Sequence, residues 1–135
     1  MKQQYLTISL LTLLLLSPIS IVAAHAQQCT KDTSTLPKNI IYVDDSNTQG
    51  PWNGSSDYPY QTINDGILHA ADGDAIYVFN GLYSETVIIN KTISIRGQEQ
   101  ESTIIDGYNN GSVITVTRED VYIRRFTIRN SGGYQ

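Results

Sequence analysis

The chain is poor in the side chains that staple, ligate or catalyse. Its 135 residues include one cysteine, two histidines, one methionine and one tryptophan. A lone cysteine, Cys29, closes no internal disulfide, so packing and hydrogen bonding have to hold the fold. His25 falls in a segment predicted to be removed, which leaves His69 as a single imidazole without the partners a copper or zinc site needs. Cations are sparse as well, with 9 Lys and Arg against 13 Asp and Glu and a formal charge of -4. Binding nucleic acid requires clustered Lys and Arg, so this composition argues against such a partner. Arg124, Arg125 and Arg129 are the only local basic concentration, and on alternating strand positions they do not share one face.

Long apolar runs are absent except at the start. Lys2 precedes the apolar stretch Leu6 to Leu16, Pro18 breaks it, and Ala24-His25-Ala26 supplies an A-x-A cleavage pattern. Residues 1–26 are therefore expected to be a signal peptide, leaving a chain that starts at Gln27 and carries one more unit of net negative charge. The run is interrupted by Thr7, Ser9 and Thr12 and is short for a stable membrane span. A secreted, periplasmic or cell-surface protein is expected, with no membrane insertion once the signal is gone. Cys29 sits just past the cut, but Ala26-Gln27-Gln28 is a poor lipoprotein box, which favours an unpaired or intermolecular thiol.

Asp-Asp pairs are missing too, apart from Asp44-Asp45. Glycoside hydrolysis needs two carboxylates at a set separation, and only Asp106 and Asp120 are expected near strand ends in the complete repeats. Asp44 and Asp45 offer hard oxygen ligands suited to calcium, but a solvated strand terminus is the preferred reading. Asp72 and Asp74 flank Gly73 and read as turn chemistry. No catalytic residue and no cofactor is assigned.

What the sequence does have is a repeat. Between Asp74 and Gly132 short β-branched strands alternate with Gly or Asn corners: Ala75 to Phe79, Thr86 to Ile89, Thr92 to Arg96, Thr103 to Asp106, Ser112 to Thr117 and Val121 to Arg129. Segments of this kind bury an apolar face only by stacking, as the coils of a solenoid do. Aligning them sets Ile93 and Ile95 over Val121 and Ile123, and Ile104 over Ile128, in inward rows. Asp106 and Asn130 then fall at equivalent corners, where polar side chains satisfy turn backbone and one another. A bend at Arg124-Arg125 accounts for the change of inward parity before Phe126.

Ahead of the repeat, residues 27–39 read as a flexible linker and residues 40–74 as a cap. Ile40 to Val43 forms a strand, and the stretch from Thr48 to Pro59, with Gly50, Pro51, Gly54 and Pro59, forms a loop whose Trp52 and Tyr58 join Tyr60 over the core end. Ile63, Ile67, Ala70 and Ala71 mark one face of a helix over Tyr60 to Ala71, with Thr62 as N-cap and Gly73 as stop. Gly66 inside it costs about 1 kcal/mol relative to Ala, so packing has to hold the helix. Residues 75–135 supply two to three coils, with no second cap, which suggests a truncated stack whose raw edge makes it only marginally stable.

Surface chemistry is expected from two residue sets. Asn53, Asn90 and Asn110 head Asn-x-Ser/Thr sequons in predicted loops, and are candidate glycosylation sites. Tyr58, Tyr83, Tyr108 and Tyr122 are expected on the surface, where an aromatic face can stack on a sugar ring.

The run Asp72 to Val78, Asn80 to Tyr83, Glu85 to Lys91, Ile93 to Gly97, Thr103 to Gly107 and Phe126 to Gly132 resembles the opening coils of pectin-lyase-like proteins, in particular NosD-like carbohydrate-binding and sugar-hydrolase repeat domains. The likeness covers residues 40–132. It implies a mostly β chain, a right-handed parallel β-helix with a short N-terminal capping helix. It implies a secreted carbohydrate-binding or adhesive scaffold, with a polysaccharide or cell-envelope glycan as partner. The same scaffold also carries polysaccharide lyases and glycoside hydrolases, some using calcium on later coils, and periplasmic metal-maturation proteins.

Overall fold

Short runs of Ile, Val, Thr and Tyr broken by turns favour brief extended segments, and the computed structural model, described here for residues 36–133, consists mostly of them. The expected signal peptide at 1–26, Cys29 and most of the expected linker lie outside those residues. Nine strands and one helix are arranged in the order β1 (Ile40–Val43), α1 (Ile63–His69), β2 (Ala75–Val78), β3 (Gly81–Tyr83), β4 (Val87–Ile89), β5 (Ser94–Gly97), β6 (Thr103–Asp106), β7 (Ile114–Val116), β8 (Tyr122–Arg124) and β9 (Thr127–Arg129). They form three parallel sheets, ordered β1-β2-β5-β8, β3-β6-β9 and β4-β7. Each successive run of strands thus revisits the same sheets in the same order.

Register places the core. In the first sheet Ile41, Ile76, Ile95 and Ile123 align, as do Val43, Val78 and Gly97. In the second, Tyr83, Ile105 and Ile128 align, and in the third Val87 and Ile89 face Ile114 and Val116. Burial falls at the last strand of the first two sheets. Ile95 is 2% exposed and its neighbour Ile123 36%, while Ile105 is 1% exposed and Ile128 49%.

Two sequence expectations need correction here. Ile128 lies beside Ile105, not Ile104, and Asp106 beside Arg129. The buried Thr103 and Ile105 alternate with the half-buried Ile104, so the inward parity of β6 is one residue later than the aligned Thr-Ile pairs imply. In the expected row of Ile93, Ile95, Val121 and Ile123, the first two are buried but Val121 is half-buried and Ile123 exposed, because no strand lies beyond β8 in its sheet among the described residues. The turn between β8 and β9 falls at Arg125, whose φ is 63°.

α1 is shorter at both ends than its apolar spacing suggests. Thr62 is its N-cap, accepting from the Asp65 amide at 3.0 Å and donating to the Asp65 carboxylate at 2.7 Å. Ala70 is already extended and ends it. Long side chains bond both termini: the Glu85 carboxyl accepts from the Ile63 and Asn64 amides at 2.8 and 3.0 Å, and Lys91 Nζ donates to the carbonyls of Ile67, Leu68 and Ala70 at 2.8, 2.7 and 2.6 Å. Gly66 allows the fit, since a Cβ there would lie 2.8 Å from Val43 Cγ2.

The first strand of every sheet has its outer edge covered. Tyr42 of β1 donates to the Gly54 carbonyl at 2.8 Å and accepts from the Tyr60 amide at 2.9 Å, and Asp44 donates to the Tyr60 carbonyl at 2.8 Å. The Leu82 amide of β3 donates to Asp45 Oδ2 at 3.0 Å. On β4, the Asn64 carboxamide accepts from Ile88 at 3.3 Å and donates to the Thr86 carbonyl at 2.9 Å. Of the three loop and helix-entry aromatics expected over the core end, Tyr60 packs there, while Trp52 and Tyr58 remain exposed.

Candidate functional site

The outward residues of a sheet are set by the same alternation that fills its core. On the four-stranded sheet they are Ile40 and Tyr42, Ala75 and Tyr77, Ser94 and Arg96, and Tyr122 and Arg124, in register across β1, β2, β5 and β8. Phe79, one step beyond β2, joins this face. Tyr42 and Phe79 stack with centroids 6.1 Å apart at 25°, Tyr77 meets Phe79 edge-on at 5.3 Å and 81°, and Tyr42 and Tyr77 are tilted at 5.9 Å. The Arg96 guanidinium carbon lies 6.0 Å from the Tyr77 centroid. All four side chains are half-buried, leaving part of each ring and of the cation at the surface.

These contacts fix the platform. Each ring is wedged by its neighbours, so little rotamer freedom remains to be lost when a ligand arrives. Arg96 Nε is buried and has no hydrogen-bond partner among the described residues. Ring contact, not an acceptor, therefore positions this guanidinium. The arrangement combines apolar faces with a planar cation, a surface suited to stacking and to hydrogen-bonding oxygen-rich ligands.

Sequence reasoning did not single out Tyr42, Tyr77 and Phe79. The signal was present, because Ile41-Tyr42-Val43 and Ile76-Tyr77-Val78 are identical tripeptides at equivalent positions of adjacent strands.

The tyrosines that were expected at the surface divide. Tyr122 is 67% exposed and lies on this same sheet face, at the β8 end. Tyr108 is exposed at a turn after β6, with φ 53°, and Tyr58 is exposed in the loop over β1. Tyr83 corrects the expectation. It is 2% exposed, points inward in register with Ile105, and donates its hydroxyl to the Phe79 carbonyl at 2.9 Å. Burial, with Asp45 nearby, pushes that phenol above its ordinary value of 10.0.

Asp106 and Asn130 meet at one corner. Asn130 Nδ2 donates to both Asp106 oxygens at 3.0 and 2.9 Å, the Tyr108 amide to Oδ1 at 3.1 Å and Arg129 Nε to Oδ2 at 2.9 Å. These bonds, the Asn130 pair foremost, hold the carboxyl below its ordinary 3.8. The cluster ties β6 to the end of β9.

A cleft of about 260 Å³ is lined by Asp45, Gln61, Thr62, Leu82, Tyr83, Ser84 and Glu85. Its two carboxylates already serve backbone: Asp45 holds Leu82 and Glu85 holds the start of α1. Burial raises the Glu85 carboxyl above 4.5 despite the amide bonds that favour its charge.

The remaining polar candidates have local partners. Asp44 accepts from the Ser46 amide and hydroxyl, Asp72 from the Thr92 amide, and Asp74 from Asn39 Nδ2 and the Ala71 amide. His69 stacks on Tyr60 at 4.5 Å and 12°. Asn53, Asn90 and Asn110 are all exposed. Among the described residues no three His, Cys, Asp or Glu side chains group as metal ligands, and no helix is long and apolar enough to cross a membrane.

Comparison with known proteins finds no matching family model, no matching curated protein and no matching solved structure.

Proposed function

We propose that residues 40–132 are the capped first coils of a right-handed parallel β-helix of the pectin-lyase-like kind. In this reading the chain is a secreted or cell-surface module without a catalytic site of its own, and it holds a polysaccharide or cell-envelope glycan against the outward face of its four-stranded sheet. Three parallel sheets visited in fixed order support the coil reading. The observation that carries the function is the interlocked set Tyr42, Tyr77, Phe79 and Arg96. Sugar rings present C–H faces that pack on aromatic faces, and their hydroxyls accept from a guanidinium.

Calorimetric titration of the full chain against a panel of soluble neutral and acidic polysaccharides tests this. One or more should bind, and Tyr77→Ala should weaken that affinity about tenfold, as expected for losing one stacked ring. Its circular dichroism should match the parent, because Tyr77 points away from the core. A parent chain that binds none of the panel, or a Tyr77→Ala chain that binds as well as the parent, would sink the proposal.

A further inference from the structure

Asparagine is chemically labile, most of all before glycine, where no side chain hinders the approach of the next main-chain nitrogen to the carboxamide. The chain holds three such pairs: Asn53-Gly54, Asn80-Gly81 and Asn110-Gly111. Reaction needs a glycine N–H that is not tied up in a hydrogen bond, a carboxamide free to turn onto it, and room for the ring that forms.

The fold denies these to two of the pairs. The Gly54 amide donates to the Tyr58 carbonyl at 3.0 Å, and the Gly81 amide to the Ser102 carbonyl at 2.9 Å. Asn53 Oδ1 accepts from the Ser55 amide at 2.9 Å, and Asn80 Oδ1 from the Thr103 hydroxyl at 3.2 Å. Gly54 is buried against Tyr60, and Gly81 is half-buried against Asp45. Asn110-Gly111, in the turn between β6 and β7, differs on every count. Among the described residues neither the Gly111 amide nor the Asn110 side chain has a hydrogen-bond partner. Both residues are exposed, and a Cβ on Gly111 would meet nothing within 4 Å.

We propose that Asn110 is a self-modification site, where the chain closes a succinimide and becomes isoaspartate or aspartate while Asn53 and Asn80 stay intact. The Gly111 nitrogen gives its proton to water and bonds to Asn110 Cγ. The carboxamide carbon–nitrogen bond breaks, and that nitrogen leaves as ammonia. Water then opens the ring at one carbonyl to give aspartate, or at the other to give isoaspartate, whose main chain runs through the side-chain carbon. The reaction draws on this turn alone and proceeds whether or not a glycan binds.

Conversion adds a negative charge and erases the Asn110-Gly111-Ser112 sequon. It also acts on a joint of the fold. The Asn109 amide donates to the Asn130 carbonyl at 2.7 Å, and the Gly111 carbonyl accepts from the Gly132 amide at 2.9 Å. Isoaspartate puts an extra carbon into the main chain between these bonds, so the two cannot both keep their spacing.

Peptide mapping by mass spectrometry, after the full chain has been held at mildly alkaline pH, tests this. In the folded chain Asn110 should convert at least about tenfold faster than Asn53 or Asn80, whose amides must first be released. Isoaspartate should accompany aspartate at position 110. In urea the three pairs should convert at similar rates. An Asn110 that keeps its amide, or an Asn53 or Asn80 that converts as fast in the folded chain, would overturn the proposal. So would aspartate without isoaspartate, which marks direct hydrolysis, or the same order of rates in urea, which would make the selection one of sequence and not of fold.

Discussion

Among the described residues, the end of the sheets formed by β1, β3 and β4 is covered and the end formed by β8, β9 and β7 is open, although both are built from the same kind of strand. Three different groups terminate β1, β3 and β4: the backbone of a loop, a carboxylate and a carboxamide. A strand edge needs acceptors for its N–H groups and donors for its carbonyls, and Asn64 supplies one of each from a single side chain. At the open end, rows that are fully buried two strands earlier reach the surface as Ile123 and Ile128. Parallel strands thus do not bury themselves. The group that covers a strand's outer edge decides how much that strand contributes.

The sharpest test of that contrast compares two isoleucines. Ile63, fully buried where α1 meets the core, should cost about 3 kcal/mol when truncated to Ala. Ile128→Ala, at a position 49% exposed, should cost less than about 1 kcal/mol. Urea denaturation midpoints read both. Equal costs would mean the two ends are equally well packed, and the contrast would fail.

A smaller effect isolates electrostatics at the covered end. Lys91→Met keeps the apolar stem but removes three charged donors from the end of α1. We expect a loss of about 1–2 kcal/mol, with faster exchange at the Gly66 and Ala70 amides and none added at β8 or β9. Arg118→Met, which gives up one exposed bond to the Asn90 carbonyl, should change stability by less than about 0.5 kcal/mol. If both substitutions cost the same, the helix is held by packing alone.

How far the sequence reached tracks this division. Eight of the nine described strands, though not β3, and the short helix with Thr62 as its N-cap could be read because they depend on local spacing and turn chemistry. The Ile105–Ile128 register could not, because the similar Thr103-Ile104 and Thr127-Ile128 pairs suggested a match one residue away from the one that burial selects. Tyr83 was misjudged for a related reason. In a three-residue strand, periodicity is too short to tell inside from outside, and only its alignment with Ile105 does so. Glu85 and Lys91 gave no signal at all, since their partners are main-chain groups more than twenty residues away.

The least perturbing probe is pH, which acts on the two ends with opposite sign. Glu85 belongs to the covered end, and burial raises its folded value above the ordinary 4.5, so the folded state binds more protons there than the unfolded chain. Its contribution is fullest at low pH and is lost as pH rises from 4.5 through the folded value. Asp106 belongs to the β6–β9 corner and is held below the ordinary 3.8 by Asn130, the Tyr108 amide and Arg129. Its contribution is present above 3.8 and is lost as pH falls through its folded value. In stability-versus-pH curves from urea melts, Glu85→Gln should remove the decline on the less acidic side and Asp106→Asn the decline on the more acidic side. If Glu85→Gln instead removed a rise with pH, its bonds to the Ile63 and Asn64 amides would outweigh its burial. The covered end would then be held by an ionised cap like that of the open end.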